Sequence, residues 1–318
     1  MKGESTNDQI TFLSTKFNYP IWMVSRFVEF VPNPEALLEE FEKAPKRYIR
    51  INTLKSEIIN VVRRLSDIGF QLKKTNLPEL FEIITESLPL GATTEYLMGY
   101  YYIQDLSSCL AVNELEITRN QIILDMACAP GGKTTYISQK LKNTGLIIGL
   151  DTNKQRLRST TCNLLRCGVS NVCLYHLDGT KVSDLDMKFD SILLDAPCSC
   201  EGIIAKDRSI IGKHSLENIR KCQKRQVNLL ESALRVIKPG GLIIYSTCTL
   251  APEENEMVID GFLNNFDINL EPVKYGYDGL TYFGKKEFDN TLRYTKRLYP
   301  HMHDTSGFYI AKLRVNRS

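Results

Sequence analysis

Two cysteines and a series of acids, each placed just after a short apolar run, are the residues of this chain best suited to chemistry. Cys198 follows the run at 189–194 in LLDAPC, and Cys248 follows 242–245 in YSTC. An ionised thiol is a nucleophile, whereas a buried one is an inert small apolar group. Cys109, Cys162, Cys167 and Cys173 fit the inert description, lying on helix faces or in a strand pattern. Cys198 and Cys248 fit it less well, because each sits at a turn that ends a strand. Asp125, Asp151 and Asp195 also close apolar runs, and Asp178 follows the run at 172–175. An acid at a strand's carboxyl end is placed to take the ribose hydroxyls of a nucleoside, the role expected of Asp151. Asp178 could accept from an adenine amine, although Asp178-Gly179 reads equally well as a simple turn.

These residues need a frame, and the stretch 122–133, IILDMACAPGGK, supplies its start. Ile122, Ile123 and Leu124 read as a buried parallel strand, and Ala129-Pro130-Gly131-Gly132 cannot continue it. From Lys133 the pattern turns helical, with Tyr136, Ile137 and Leu141 on one face. Strand, glycine turn and helix open a nucleotide-binding unit, or else form a tight turn in an ordinary α/β domain. A dinucleotide fingerprint is missing. A phosphate-binding loop has its Gly132-Lys133-Thr134 end but carries Ala127 where its first glycine belongs. The remaining candidate is S-adenosylmethionine, a cationic nucleoside without phosphates that suits acidic surroundings.

Strand and helix patterns alternate from there onward. Apolar runs at 146–150, 172–175, 189–194 and 242–245 are separated by helical stretches at 154–167 and 215–237, a further helix begins at Pro252, and a last strand covers 307–313. Such alternation predicts a doubly wound, mostly parallel sheet. Upstream, residues 1–42 read as helices broken by Pro20, Pro32 and Pro34. Strands at 47–54, 70–73 and 81–85 with a helix at 57–65 predict a small α+β unit like an RNA-recognition module. The boundary is expected near 90, giving an RNA-contacting domain over 1–90 and a catalytic domain over 91–318.

The 318-residue chain has a net charge of +3, which says little alone. Its basic residues gather in two runs, one from Lys43 to Lys74 and one from Lys206 to Arg225. Solvated faces are the ordinary reading of such runs, and a polyanion partner is the functional one. Nine cysteines without paired spacing suit a reducing compartment, and neither Cys198-Ser199-Cys200 nor Cys162 with Cys167 has C-x-x-C zinc spacing, so no metal is expected. No apolar leader or membrane-length run is present, so a cytoplasmic protein, monomeric and without membrane contact, is expected.

LDMACAPGGKT, LDTNKQR, LDGT, LLDAPCSCEG and YSTCT, with RINTLK, YIQDLSS and RLYPHMHDTSGFYIAKL, closely resemble the Nop/Sun family of RNA cytosine-5 methyltransferases. The likeness runs from about Arg47 to the C-terminus. It implies a Rossmann-like class I methyltransferase domain that uses S-adenosylmethionine and methylates RNA. It implies that Cys248 attacks carbon 6 of cytosine, that Cys198 assists proton removal and product release, and that Asp195 holds the ring nitrogen. Lys133 then lies beside the base or the cofactor. The cofactor set implied is Cys128, Ala129, Pro130, Gly131, Gly132, Lys133, Asp151, Arg156, Asp178 and Asp195. Covalent catalysis needs a thiolate, so a lowered cysteine pKa, helped by a following helix N-terminus, is expected. The compact form looks like archaeal tRNA-modifying members, which makes tRNA the expected substrate and ribosomal RNA the alternative. A methyltransferase for exocyclic amines should carry Asn-Pro-Pro-aromatic where Asp195-Ala196-Pro197-Cys198 stands.

Overall fold

The computed structural model describes residues 2–316. Three helices open the chain: α1 (Lys2–Phe17), α2 (Ile21–Phe30) and α3 (Pro34–Phe41). Their breaks fall at the prolines. Pro20 sits at the N-cap of α2, and Pro34 opens α3, where the Asn33 side chain caps the Ala36 amide at 3.2 Å. These helices do not join the α+β unit that follows them in sequence. Met23, Val24, Phe27, Leu37 and Phe41 share a core with Ile204, Leu250 and Tyr299. Arg26 also grips Glu253 through two hydrogen bonds of 2.7 and 2.6 Å. The single 1–90 domain is therefore divided, because its first helices bury their apolar faces on the C-terminal part.

The small unit contains β1 (Tyr48–Ile51), α4 (Ile58–Asp67), β2 (Gln71–Lys74), β3 (Leu80–Thr85), α5 (Thr94–Leu97) and β4 (Tyr101–Ile103). Its sheet is antiparallel in the order β2-β3-β1-β4. Since β4 is its edge strand, the unit runs past the boundary expected near 90. Val61 and Leu65 of α4 pack with Ile49, Ile51, Phe70, Phe81 and Tyr101 on one face. The other face, where an RNA-recognition sheet stacks bases, is closed. Tyr48 and Leu80 join the core of the second domain. Arg50 is fully buried and donates to the Gln104 side chain, to the Gly132 carbonyl at 2.9 Å and to Thr135 Oγ1 at 2.9 Å.

The larger part begins with α6 (Leu106–Asn113), β5 (Ile122–Asp125), α7 (Gly132–Leu141), β6 (Leu146–Asp151), α8 (Lys154–Cys167), β7 (Val172–His176) and β8 (Phe189–Asp195). It continues with α9 (Ser209–Lys213), α10 (Leu216–Val236), β9 (Ile237–Thr247), α11 (Glu256–Leu263) and β10 (Ile268–Glu271). The last elements are β11 (Tyr277–Asp278), the hairpin β12 (Tyr282–Phe283) and β13 (Lys286–Glu287), β14 (Lys296–Leu298), α12 (Pro300–His303) and β15 (Phe308–Val315). The large sheet reads β11-β14-β15-β9-β8-β5-β6-β7, with β10 also on β15. Strands β9 to β7 in that order are parallel, and β15 is antiparallel to β9. The doubly wound expectation holds. The chain steps from β5 through β6 and β7 on one side, then returns to β8 and β9 on the other. The topological switch point thus lies between β5 and β8, where ligands of such sheets bind.

Two local expectations change. The helix expected from Pro252 begins at Glu256, after a turn over 252–255. Cys109 and Cys167 are buried as expected, but Cys162 and Cys173 are exposed, since each points from the outer face of its element. Among the described residues no helix is long and apolar enough to cross a membrane.

Candidate active site at the ends of the parallel strands

The register of β8 and β9 explains why two distant cysteines meet. Asp195 pairs with Ser246 across the two strands. Cys198 and Cys248 lie three and two residues beyond that rung, and their Sγ atoms are 3.3 Å apart. A third thiol joins them: Cys200 Sγ is 3.6 Å from Cys248 Sγ. Sequence reading placed no role on Cys200, because only the backbone turn after Cys198 brings it back.

Around the thiols the two loops are tied by a buried polar belt. Glu254 accepts from the Ser199 amide at 3.0 Å and from Gln226 Nε2 at 2.8 Å, and Gln226 also donates to the Pro197 carbonyl at 2.9 Å. Ser199 Oγ meets Thr249 Oγ1 at 2.8 Å, joining the first cysteine loop to the second. The Gly202 amide donates to the Cys248 carbonyl at 2.9 Å, and Gly202 packs so closely on Gly307 that a Cβ there would lie 2.1 Å from the Gly307 oxygen. Burial pushes the Glu254 carboxyl up to about 7 against the opposing bonds from Ser199 and Gln226. These supporting residues were missed. The local signal for Glu254 was the acidic Glu253-Glu254 pair ahead of a helix start.

Asp195 itself is held on both oxygens, accepting from Ser246 Oγ at 2.8 Å and from Lys133 Nζ at 2.7 Å. Lys133 also reaches Ser108 Oγ at 3.2 Å. Burial opposes its charge, but the adjacent Asp195 outweighs that and holds the ammonium above its ordinary pKa. Gly131 caps α7 at φ 100° with its Cα face against Thr160, a conformation and a clearance that suit glycine. Asp125, buried under the loop, accepts from Thr134 Oγ1 at 2.8 Å, and burial raises it to about 6. Asp151 accepts from the Asn153 amide at 2.8 Å and pairs with Arg156 at 3.5 Å, while Arg156 donates to the Ala129 carbonyl at 2.5 Å.

A cavity of about 310 Å³ lies between these groups, lined by Tyr102, Gln104, Cys128, Pro130, Lys133 and Asp195 among others. Gln104 Nε2 is buried there without a partner. That orphaned donor, the glycine loop and the Asp195 carboxylate at the end of β8 form a set suited to a polar, cationic ligand, and Asp151 at the end of β6 adjoins it through Arg156.

One expectation fails on electrostatics. Cys248 is not lowered. The hydrogen bond from Cys198 favours its thiolate, but the bond with Cys200, burial and the charge of Asp195 together raise it well above a free thiol. The helix expected to help begins eight residues later, too far for its N-terminal field. Asp178 caps the Thr180 amide at 3.0 Å, as a turn aspartate does, and faces Arg225 at 3.4 Å.

The basic runs also separate. In the first, Arg50 is interior, and Lys46, Arg47, Arg64 and Lys73 pair with Glu82, Glu86 or Glu95, while Lys55, Arg63 and Lys74 are exposed without an acidic partner among the described residues. In the second, Lys206, Arg208 and Arg225 are paired, but Arg220, Lys221 and Lys224 stand exposed along α10 without an acidic partner among the described residues.

Strand order, switch-point cleft and glycine loop define a class I methyltransferase fold. The model of the 16S rRNA methyltransferase RsmB/F family matches residues 112–314. A methyltransferase homolog protein from Pyrococcus horikoshii is 40% identical at a TM-score of 0.89, covering 96% of this chain and 99% of that one. This chain belongs to that family, and the Nop/Sun likeness read from its motifs is borne out. NSun6 from the same organism, solved with SFG, is 26% identical at a TM-score of 0.79, covering 90% of this chain and 94% of its own. The mouse 28S rRNA (cytosine-C(5))-methyltransferase is 39% identical over 95% of this chain and 39% of its own length. Ribosomal RNA small subunit methyltransferase F of Aeromonas hydrophila is 38% identical over 86% of this chain and 58% of its own. The chain thus spans less than two thirds of the curated relatives it matches. Those relatives are named for ribosomal RNA, and the expectation of tRNA gains no support from them.

Proposed function

We propose that this chain transfers a methyl group from S-adenosylmethionine to carbon 5 of a cytosine in ribosomal RNA. The observation that carries the reading is the pair of thiols 3.3 Å apart beside Asp195 at the switch-point edge. The relatives' names support ribosomal RNA, and SFG, an analogue of the methyl donor, in the NSun6 structure supports the cofactor.

Carbon 5 of cytosine is a weak nucleophile, and addition of Cys248 Sγ at carbon 6 converts the ring to an enamine. The thiol gives up its proton as ring nitrogen 3 gains one, and Asp195, positioned by Lys133 and Ser246, hydrogen-bonds there. Bound S-adenosylmethionine supplies an electrophilic methyl group on a sulfonium centre, which the activated carbon 5 takes. Cys198 then removes the proton left on carbon 5, nitrogen 3 loses its proton, and the carbon–sulfur bond to Cys248 breaks. Asp151 accepts the ribose hydroxyls, the 128–133 loop and Arg156 shape the donor's seat, and Gln104 offers its free amide. RNA approaches over Arg220, Lys221 and Lys224, which lie within two turns of Gln226 on α10.

The test is tritium transfer from labelled S-adenosylmethionine, comparing ribosomal RNA with tRNA from a strain lacking the gene, followed by bisulfite sequencing. Label at a cytosine of ribosomal RNA is expected. Label confined to tRNA overturns the substrate, and no label in any RNA overturns the reaction.

A further inference from the structure

The proposed reaction uses Cys198 and Cys248 and leaves Cys200 without a task. Yet Cys200 is held at a cost. Its backbone lies at φ 66°, ψ 22°, a left-handed region that residues with a Cβ rarely take unless they are Asn or Asp. Any other side chain pointing elsewhere would relieve nothing, whereas Gly would remove the strain. What the strained turn achieves is to bring a third sulfur onto the catalytic pair.

The three Sγ atoms lie within 4.8 Å of one another, with two of the separations at 3.3 and 3.6 Å. Sulfurs at the corners of a tetrahedral zinc site with bonds of about 2.3 Å stand about 3.8 Å apart. The cluster is already near the size of one face of such a site, and small side-chain rotations complete it. Among the described residues it is the one group of three or more Cys, His, Asp or Glu donors close enough to hold an ion. His214 and Asp195 are engaged elsewhere, on Glu201 and on Lys133, so a fourth position falls to water. All three cysteines are partly exposed, so an ion can reach them.

The geometry points to a thiolate site for one soft divalent cation of the zinc and cadmium kind, held by Cys198, Cys200 and Cys248. Binding forms three metal–sulfur bonds and releases the remaining thiol protons to solvent, with no oxidant required. The local sequence concealed the site, because Cys198-Ser199-Cys200 lacks zinc spacing and the third ligand arrives from a different strand. The effect on catalysis rests on the methyl-transfer reading above: a cation on Cys248 occupies the electron pair that must attack carbon 6, so bound metal inhibits.

Cadmium alone is the probe, titrated into the full chain under a phosphine reductant, with the exposed Cys162 and Cys173 replaced by Ser. One equivalent should produce the ultraviolet sulfur-to-cadmium charge-transfer band, abolished by a chelator. Cys200→Ser and Cys200→Gly should each bind at least tenfold more weakly, and the Gly variant suits that backbone, so its fold persists. Methyl transfer by the unsubstituted chain should fall with cadmium and return on chelation. No band at one equivalent, or equal affinity in both Cys200 variants, overturns the site. Cadmium binding without any methyl transfer to RNA leaves the site standing and overturns the function instead.

Discussion

The small antiparallel sheet and the large parallel one both carry aromatic and charged residues beyond their cores, but they present them to different surroundings. On the small sheet, Tyr48, Arg50 and Tyr102 face the catalytic half and are buried by it. On the large sheet, the acids and thiols gather past the strand ends, where Asp195, Cys198, Cys200 and Cys248 stay partly exposed. The same contrast separates the two basic runs. Most of the first is taken up by interior packing and by nearby glutamates, with Lys55, Arg63 and Lys74 left exposed at scattered positions, whereas the second leaves Arg220, Lys221 and Lys224 together on α10 without an acidic partner among the described residues. The sheet face on which an RNA-recognition module stacks bases is therefore taken up here by docking against the larger domain.

The sharpest way to test the contrast is at the open edge. Cys248→Ala should lose methyl transfer by ~10⁴-fold or more and form no covalent RNA adduct. Cys198→Ala should still attack and methylate but release ~10²–10⁴-fold more slowly, accumulating an adduct visible as a denaturation-resistant shifted band. A band in Cys248→Ala and none in Cys198→Ala reverses the two roles.

At the closed face, Arg50→Met should cost about 2–4 kcal/mol of stability, because Gln104 and the Gly132 carbonyl lose a charged donor in the interior. Denaturant unfolding reads this directly. A loss below about 0.5 kcal/mol would show that face to be loosely docked and available to RNA.

Asp151→Ala should weaken S-adenosylmethionine by about 1.5–3 kcal/mol in calorimetry, the scale of a charged hydrogen bond. Unchanged affinity in a folded variant removes Asp151 from the ribose. A smaller effect concerns Glu254. Its carboxyl titrates near 7 when folded and near 4.5 when unfolded, so the unfolded chain releases this proton first as pH rises. Stability from this group is full below about 4.5, falls from there to 7, and is flat above, a loss of order 3 kcal/mol. Glu254→Gln should flatten that part of the stability–pH curve.

The smallest expected effect separates the basic runs. Neutralising Lys221 with Lys224 should lower the salt slope of RNA binding by up to about 2, whereas neutralising the paired Arg64 should barely change it. Equal changes from both would erase the distinction drawn between the two surfaces.

Much of this was legible in the chain. Periodicity located β5 to β9 and α7, α8 and α10, because apolar runs closed by glycine, proline or acid carry local information that burial does not override. The helix start at Glu256 was displaced because Pro252 also suits a turn, and the small unit's last strand was hidden in a tyrosine-rich stretch that pairs only with a distant partner. The domain division was misplaced for a related reason: α1 to α3 have apolar faces, and a face does not state what it packs against.

The residue types at the strand ends, Asp151, Asp195, Cys198 and Cys248, were determined by sequence alone, since strand and turn patterns are short-range and place a side chain at a carboxyl end without knowledge of the rest. What only the tertiary structure decided was their company. The Asp195–Ser246 register sets the thiols side by side, the left-handed turn at Cys200 adds a third, and the Cys200 bond and the charge of Asp195 turn the Cys248 pKa upward. Those depend on distances between segments about fifty residues apart in the chain, and electrostatic and sulfur–sulfur interactions fall off within a few ångströms, so no local pattern can report them.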